Sequence, residues 1–136
     1  MLVKDLKFIE KLSPEMCGIG PFVPHKDTKF KNENHGDVSL VLMLLSIIRL
    51  LKPNILLPAT TALGTVDPLG REKGILHGAN VVMPNLSPVK HRKDYSLYDN
   101  KICTGDEAAQ CIGCLADRMK KIGCEIVTDR GDYTEE

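Results

Sequence analysis

The chain lacks an excess of charge of either sign: its 136 residues carry 18 Lys plus Arg against 18 Asp plus Glu. A balanced chain makes no global field, which argues against nucleic acid or an anionic membrane surface as partner. Long apolar runs are also missing. The greasiest stretch, Val38 to Leu51, has 14 residues with Ser39, Ser46 and Arg49 inside it, short of the roughly 20 that span a bilayer. The opening MLVKDLKFIEKL mixes charges with apolar residues at helical spacing, unlike a secretory or transit leader, so a cytoplasmic setting is expected. No G-x-S-x-G, Walker A or H-E-x-x-H run occurs, which removes the usual signatures of a nucleophile, a phosphate cradle and a zinc protease. Five cysteines cannot close as a disulfide set, and three of them cluster near the C-terminal end, which points to metal.

What is there alternates. Residues 2–12 place Leu2, Leu6, Ile9 and Leu12 on one helical face. Ser13-Pro14 breaks this helix, and Met16 to Ile19 reads as a brief strand running into the long Pro-containing loop GPFVPHKDTKF. Asp37 caps a helix over Val38 to Lys52, greasy nearly all round and therefore expected to be covered on both sides. Ile55 to Leu57 is a second strand. Asp67-Pro68 fits the N-cap and first position of a helix that Gly78 closes, and Asn80 to Met83 is a third strand. Ser87-Pro88 starts a basic helical turn to Tyr95, a helix covers Glu107 to Ile122, and Glu125 to Thr128 is a possible last strand.

Alternation of this kind predicts α/β architecture with a parallel sheet. Three strands leave both sheet edges open, and a closed (β/α) barrel needs eight strands and about 250 residues. The expectation is a partial (β/α) barrel: residues 1–100 as a half-barrel segment, and residues 101–136 as a cysteine-bearing extension packed on it. Loops after parallel strands are where ligands bind. Thr60 and Thr61 lie past one strand, Met83 ends the next, and Tyr95 and Tyr98 follow. Hydroxyls can fix a carboxylate or ribose, and a thioether makes a soft wall. Each also has a plainer role: a Thr pair after a strand caps a helix, and Met in a strand fills a core.

Cys103, Cys111 and Cys114 form C-x7-C-x2-C. Cys111 and Cys114, at i and i+3, share a helical face and can clamp one metal. Cys103 can join them only if the helix starts after Gly105, with Asp106 as cap. Cys124 lies beyond the helix-ending Gly123, more than two turns from Cys114, although four thiolates could in principle hold zinc or an Fe-S cluster. Cys17 reads as a small buried hydrophobe. His25, His35, His77 and His91 pair with no cysteine at ligand spacing, and Arg71 and Glu72 could reach a ligand but read more simply as solvent-bridging.

The stretches MCGIGPFVPHKDT, PATTALGTVDPLGREKGILHGANVVMPNLSP and YSLYDNKICTGDEAAQCIGC together resemble the C-terminal part of the HydE-type maturases of [FeFe]-hydrogenase, radical S-adenosylmethionine (SAM) enzymes related to biotin synthase. The resemblance implies that the chain supplies the last three strands of a SAM-dependent TIM barrel. It carries Met16, Thr60, Thr61, Met83, Tyr95 and Tyr98 onto positions lining the cavity for SAM and an organometallic small-molecule substrate. It carries Cys103, Cys111 and Cys114 onto the ligands of an accessory [2Fe-2S] cluster. The C-x3-C-x2-C run that holds the radical-generating [4Fe-4S] cluster is absent. No catalytic residue is therefore expected here, and radical chemistry would need an N-terminal half-barrel from the same gene or a separate chain. The alternative is a free-standing iron-sulfur or zinc module without radical chemistry.

Overall fold

The computed structural model describes residues 1–95, 97–102, 108–127 and 130–133. Helix α1 (Leu2–Leu12) ends where Ser13 turns left-handed and donates its N–H to the Ile9 carbonyl, with Pro14 barring continuation. Only Leu6 and Ile9 of its apolar stripe pack on the core. Helix α2 (Val38–Leu51) starts at Asp37, whose carboxylate accepts the Ser39 N–H at 2.8 Å, satisfying a donor the helix cannot. It buries one stripe, Val41, Leu42, Leu45 and Ile48, while Met43 and Leu50 stay exposed. The expected cover on both sides is thus absent among the described residues.

The sheet is small and parallel. Strand β1 (Pro58–Ala59) pairs with β2 (Val81–Val82) in the register Pro58 to Val81 and Ala59 to Val82. Ahead of β1 a single parallel bridge joins Met16 to Leu56, with Cys17 N–H bonding the Leu56 carbonyl at 3.0 Å and Leu56 N–H the Glu15 carbonyl at 2.9 Å. The three extended segments therefore lie side by side in chain order. Asn80 extends the ladder, its side-chain oxygen accepting Leu57 N–H at 2.8 Å.

The helix expected between Asp67 and Gly78 forms, and a further one that was not expected precedes Asp67. Helix α3 (Thr61–Val66) stops because Asp67 precedes a proline, which disfavours helical backbone; Asp67 sits extended at φ −126°, ψ 121°. Helix α4 (Gly70–Leu76) follows. Asp67 still serves its start, accepting Leu69 N–H at 2.9 Å and Lys73 Nζ. These two bonds, the Lys73 one first, hold its carboxyl below the usual range. Gly78 closes α4 at φ +103°, as the glycine there predicts. Its missing Cβ would come 2.8 Å from Arg49 Cβ, so no larger residue lets α2 approach as closely.

A 3-10 helix spans Val89–Tyr95, and α5 (Ala108–Lys121) is stopped by Gly123 at φ +76°. No strand forms over residues 124–127; residue 128 of the expected last strand lies outside the described residues. Leu45, Ile48, Ile55, Leu57 and Leu63 are fully buried, each stabilising by about 1.5–3 kcal/mol. No described helix is long and apolar enough to cross a membrane.

Candidate functional site

Two sets of side chains merit separate treatment: those at the strand ends, and those on the cysteine helix. Along β1 the pleat alternates. Ile55, Leu57 and Ala59 belong to the buried core with Leu63, so Leu56, Pro58 and Thr60 point to the opposite face. Paired residues of neighbouring strands share a face, which puts Met16 with Leu56 and Val81 with Pro58. Extending the register by one residue sets Met83 beside Thr60. Thus Met16, Thr60 and Met83 share the face turned away from α2 and α4. Met16 and Met83 are each 49% exposed, while Pro58 on the same face is buried.

Depth separates them. Met16 is level with Leu56, four residues before Thr60, which is about 13 Å along a strand. Thr60 and Met83 mark the mouth at the C-terminal strand ends, whereas Met16 lies deep on the same face. Met16 also lines a cavity of about 630 Å³ with Leu56, Val81, Val82, Met119 and Cys124. Among the described residues, none of the other expected ligands borders that cavity.

The Thr60 hydroxyl has a structural duty: it caps α3, accepting the Leu63 N–H at 3.3 Å. Gly20 packs against it so closely that a Cβ there would sit 2.7 Å from Thr60 Oγ1. Thr61 is the first residue of α3 and half-buried. Tyr95 ends the 3-10 helix and is exposed, while Tyr98 is half-buried in the following loop. Asp99 N–H bonds the Pro24 carbonyl at 3.1 Å, drawing this loop to the one after the first strand. Phe22 and Phe30 stack edge to face within that first loop, and Gly36 N–H closes it on the Phe22 carbonyl at 2.8 Å. Tyr98 and Asp99 are thereby held beside the loop that contains Phe22 and Phe30.

On α5, Cys111, Leu115 and Met119 at i, i+4 and i+8 form the buried stripe. Cys111 is 3% exposed, whereas Cys114 faces solvent. Cys103 lies outside the described residues. Within those residues no three His, Cys, Asp or Glu side chains gather as metal ligands, so the described part of the helix offers two thiols. Cys124 is half-buried at the wall of the cavity. Cys17 packs against the core, and burial raises its thiol pKa, in keeping with the reading of it as a small hydrophobe.

Glu72 and Arg118 are the pair that sequence reasoning missed. Glu72 does not bridge to solvent; it is 7% exposed, and Arg71 beside it 3%. Arg118 of α5 grips Glu72 with both ends of its fork, Nε to Oε1 at 2.5 Å and Nη2 to Oε2 at 2.6 Å, and also bonds the Pro68 carbonyl. Burial pushes the Glu72 carboxyl up, but the Arg118 hydrogen bonds and charge outweigh it and leave the pKa below the ordinary value. Forty-six positions separate the partners, so no local charge pattern could have announced them. The only hint was an acidic residue in the first turn of a helix, a placement common on solvated surfaces.

The chain is 44% identical over 130 residues to the [FeFe] hydrogenase maturase subunit HydE of Thermotoga maritima. The match covers 96% of this chain and 37% of that protein. The resemblance read from the sequence is thus found across nearly the whole chain, and the chain spans little more than a third of its relative's length. No family model matches.

Proposed function

We propose that this chain is the C-terminal portion of a radical SAM maturase acting in assembly of the [FeFe]-hydrogenase active-site cluster. In this reading residues 1–100 are the closing part of a (β/α) barrel, and residues 101–136 an extension that carries an accessory iron-sulfur site. The observation that carries the proposal is 44% identity sustained over 96% of the chain to a HydE maturase subunit. Support comes from the sheet, whose segments run parallel in chain order, as the end of a barrel would. Met16, Thr60, Thr61, Met83, Tyr95 and Tyr98 would form one wall of the cavity, Met16 deep in it and the others at its mouth.

The radical source belongs to the part that this chain does not contain. A [4Fe-4S] cluster there would supply the electron that cleaves SAM, while this chain would bind and orient SAM and substrate. At the accessory site the thiols of Cys111 and Cys114, one turn apart on α5, fit two ligand positions, with Cys103 as a third. The test is reductive SAM cleavage by this chain combined with an N-terminal half-barrel bearing C-x3-C-x2-C. Release of 5′-deoxyadenosine only when both are present is expected. Equal release without this chain refutes the proposal.

A further inference from the structure

Helix α5 meets the rest of the described structure through a polar clamp as well as an apolar stripe. At 100° per residue, Arg118 falls within about 20° of Cys111, two turns away, and about 40° from Cys114, one turn away. Arg118 therefore lies on the buried Cys111 side of the helix, with Cys114 towards its exposed edge. The carboxylate it grips is rooted on α4, which in turn is pressed onto the sheet: a Cβ on Gly74 would lie 3.2 Å from Ala59 Cβ. A rigid path runs from β1 through α4 and Glu72 to the cysteine helix. A forked, largely buried ion pair fixes rotation and height of a helix far better than apolar contact, because its two bonds are met at one geometry only.

From this we infer that Glu72 and Arg118 are positioning residues for the cysteine site: they lock the rotation of α5 so that Cys111 stays turned inward and Cys114 outward. Binding of a metal by these thiols rests on the function proposed above; the clamp itself does not. With the clamp broken, the apolar stripe still holds α5, but the helix rolls and lifts, and the inward thiol becomes reachable.

The test is differential alkylation of the full chain by iodoacetamide, with peptide mass spectrometry reading each cysteine. In the parent chain Cys114 reacts quickly and Cys111 slowly. Glu72→Gln, which keeps shape and removes charge, is expected to raise the Cys111 rate about tenfold with Cys114 unchanged, since opening of the helix then costs less. Arg118→Lys, which keeps charge but loses the fork, is expected to fall between. Cys17, bonded to Leu56 beside the Met16 bridge and packed on the core, reports global unfolding; if Glu72→Gln exposes it, the Arg118→Lys chain decides. An unchanged ratio of Cys111 to Cys114 rates in a folded variant overturns the inference. A second arm reconstitutes the chain anaerobically with iron and sulfide, followed by EPR on reduction. A broadened or shifted signal and faster loss of iron to chelator in Glu72→Gln support the clamp, and identical spectra and rates count against it. If the parent chain takes up no iron, the cluster assignment fails, while the alkylation ratio still decides the clamp.

Discussion

Replacing Gly70 by alanine tests whether the junction of α3 and α4 is as tight as the geometry requires. A Cβ on Gly70 would sit 2.2 Å from the Leu63 carbonyl oxygen and 2.6 Å from its carbon. Real contacts of this kind essentially never fall under 3.0 Å, so the two helices must part by close to 1 Å in a region packed like a crystal. The obstruction is backbone and cannot swing aside. Leu63 is fully buried and its carbonyl also accepts Asp67 N–H at 3.0 Å, so the displacement disturbs core and turn together. Overpacking of this kind costs about 1–3 kcal/mol, which for a domain of this size lowers Tm by roughly 3–11 °C. The natural control is Gly113, between Cys111 and Cys114 in α5, where an added Cβ meets nothing within 4 Å. Gly113→Ala should stabilise by about 0.5–1 kcal/mol through helix propensity alone. Both are read by far-UV CD melts and urea titration with an unchanged m value. If Gly70→Ala melts within about 2 °C of the parent, the close approach is not a constraint and the reasoning fails.

Leu45→Ala removes a fully buried side chain from the centre of α2 and should cost about 2–5 kcal/mol, measured as a lower urea midpoint; a loss below about 1 kcal/mol would mean that the core collapses to fill the space. Asp37→Ala leaves the Ser39 N–H without its acceptor and should cost about 0.5–2 kcal/mol, whereas Asp37→Asn should be nearly silent in the same titration. Acid should weaken the link between α4 and α5. Because the folded pKa of Glu72 lies below its unfolded value, its contribution is present above the unfolded value of about 4.3 and fades as pH falls through the folded one. Urea midpoints between pH 6 and pH 3 should therefore fall less steeply in Glu72→Gln, and parallel slopes would exclude the pair as a source of acid sensitivity.

Local chemistry made much of this protein legible in its sequence. The cap at Asp37, the left-handed closures at Gly78 and Gly123, and the parallel alternation of helix and strand each follow from residues within a few positions of one another. The similarity to a HydE maturase subunit was equally legible, because it is written in the order of residues. Tertiary structure decided the rest. It added helix α3 ahead of Asp67, where no helix was expected. It chose the capping role for the Thr60 hydroxyl from the two the sequence offered, and its register brings Thr60 level with Met83 and leaves Met16 some four residues deeper. It turned one thiol of the cysteine pair inward and the other outward, and joined Glu72 to Arg118 across 46 positions. Register, depth and burial depend on which distant segments meet, and one-dimensional spacing carries no information about that.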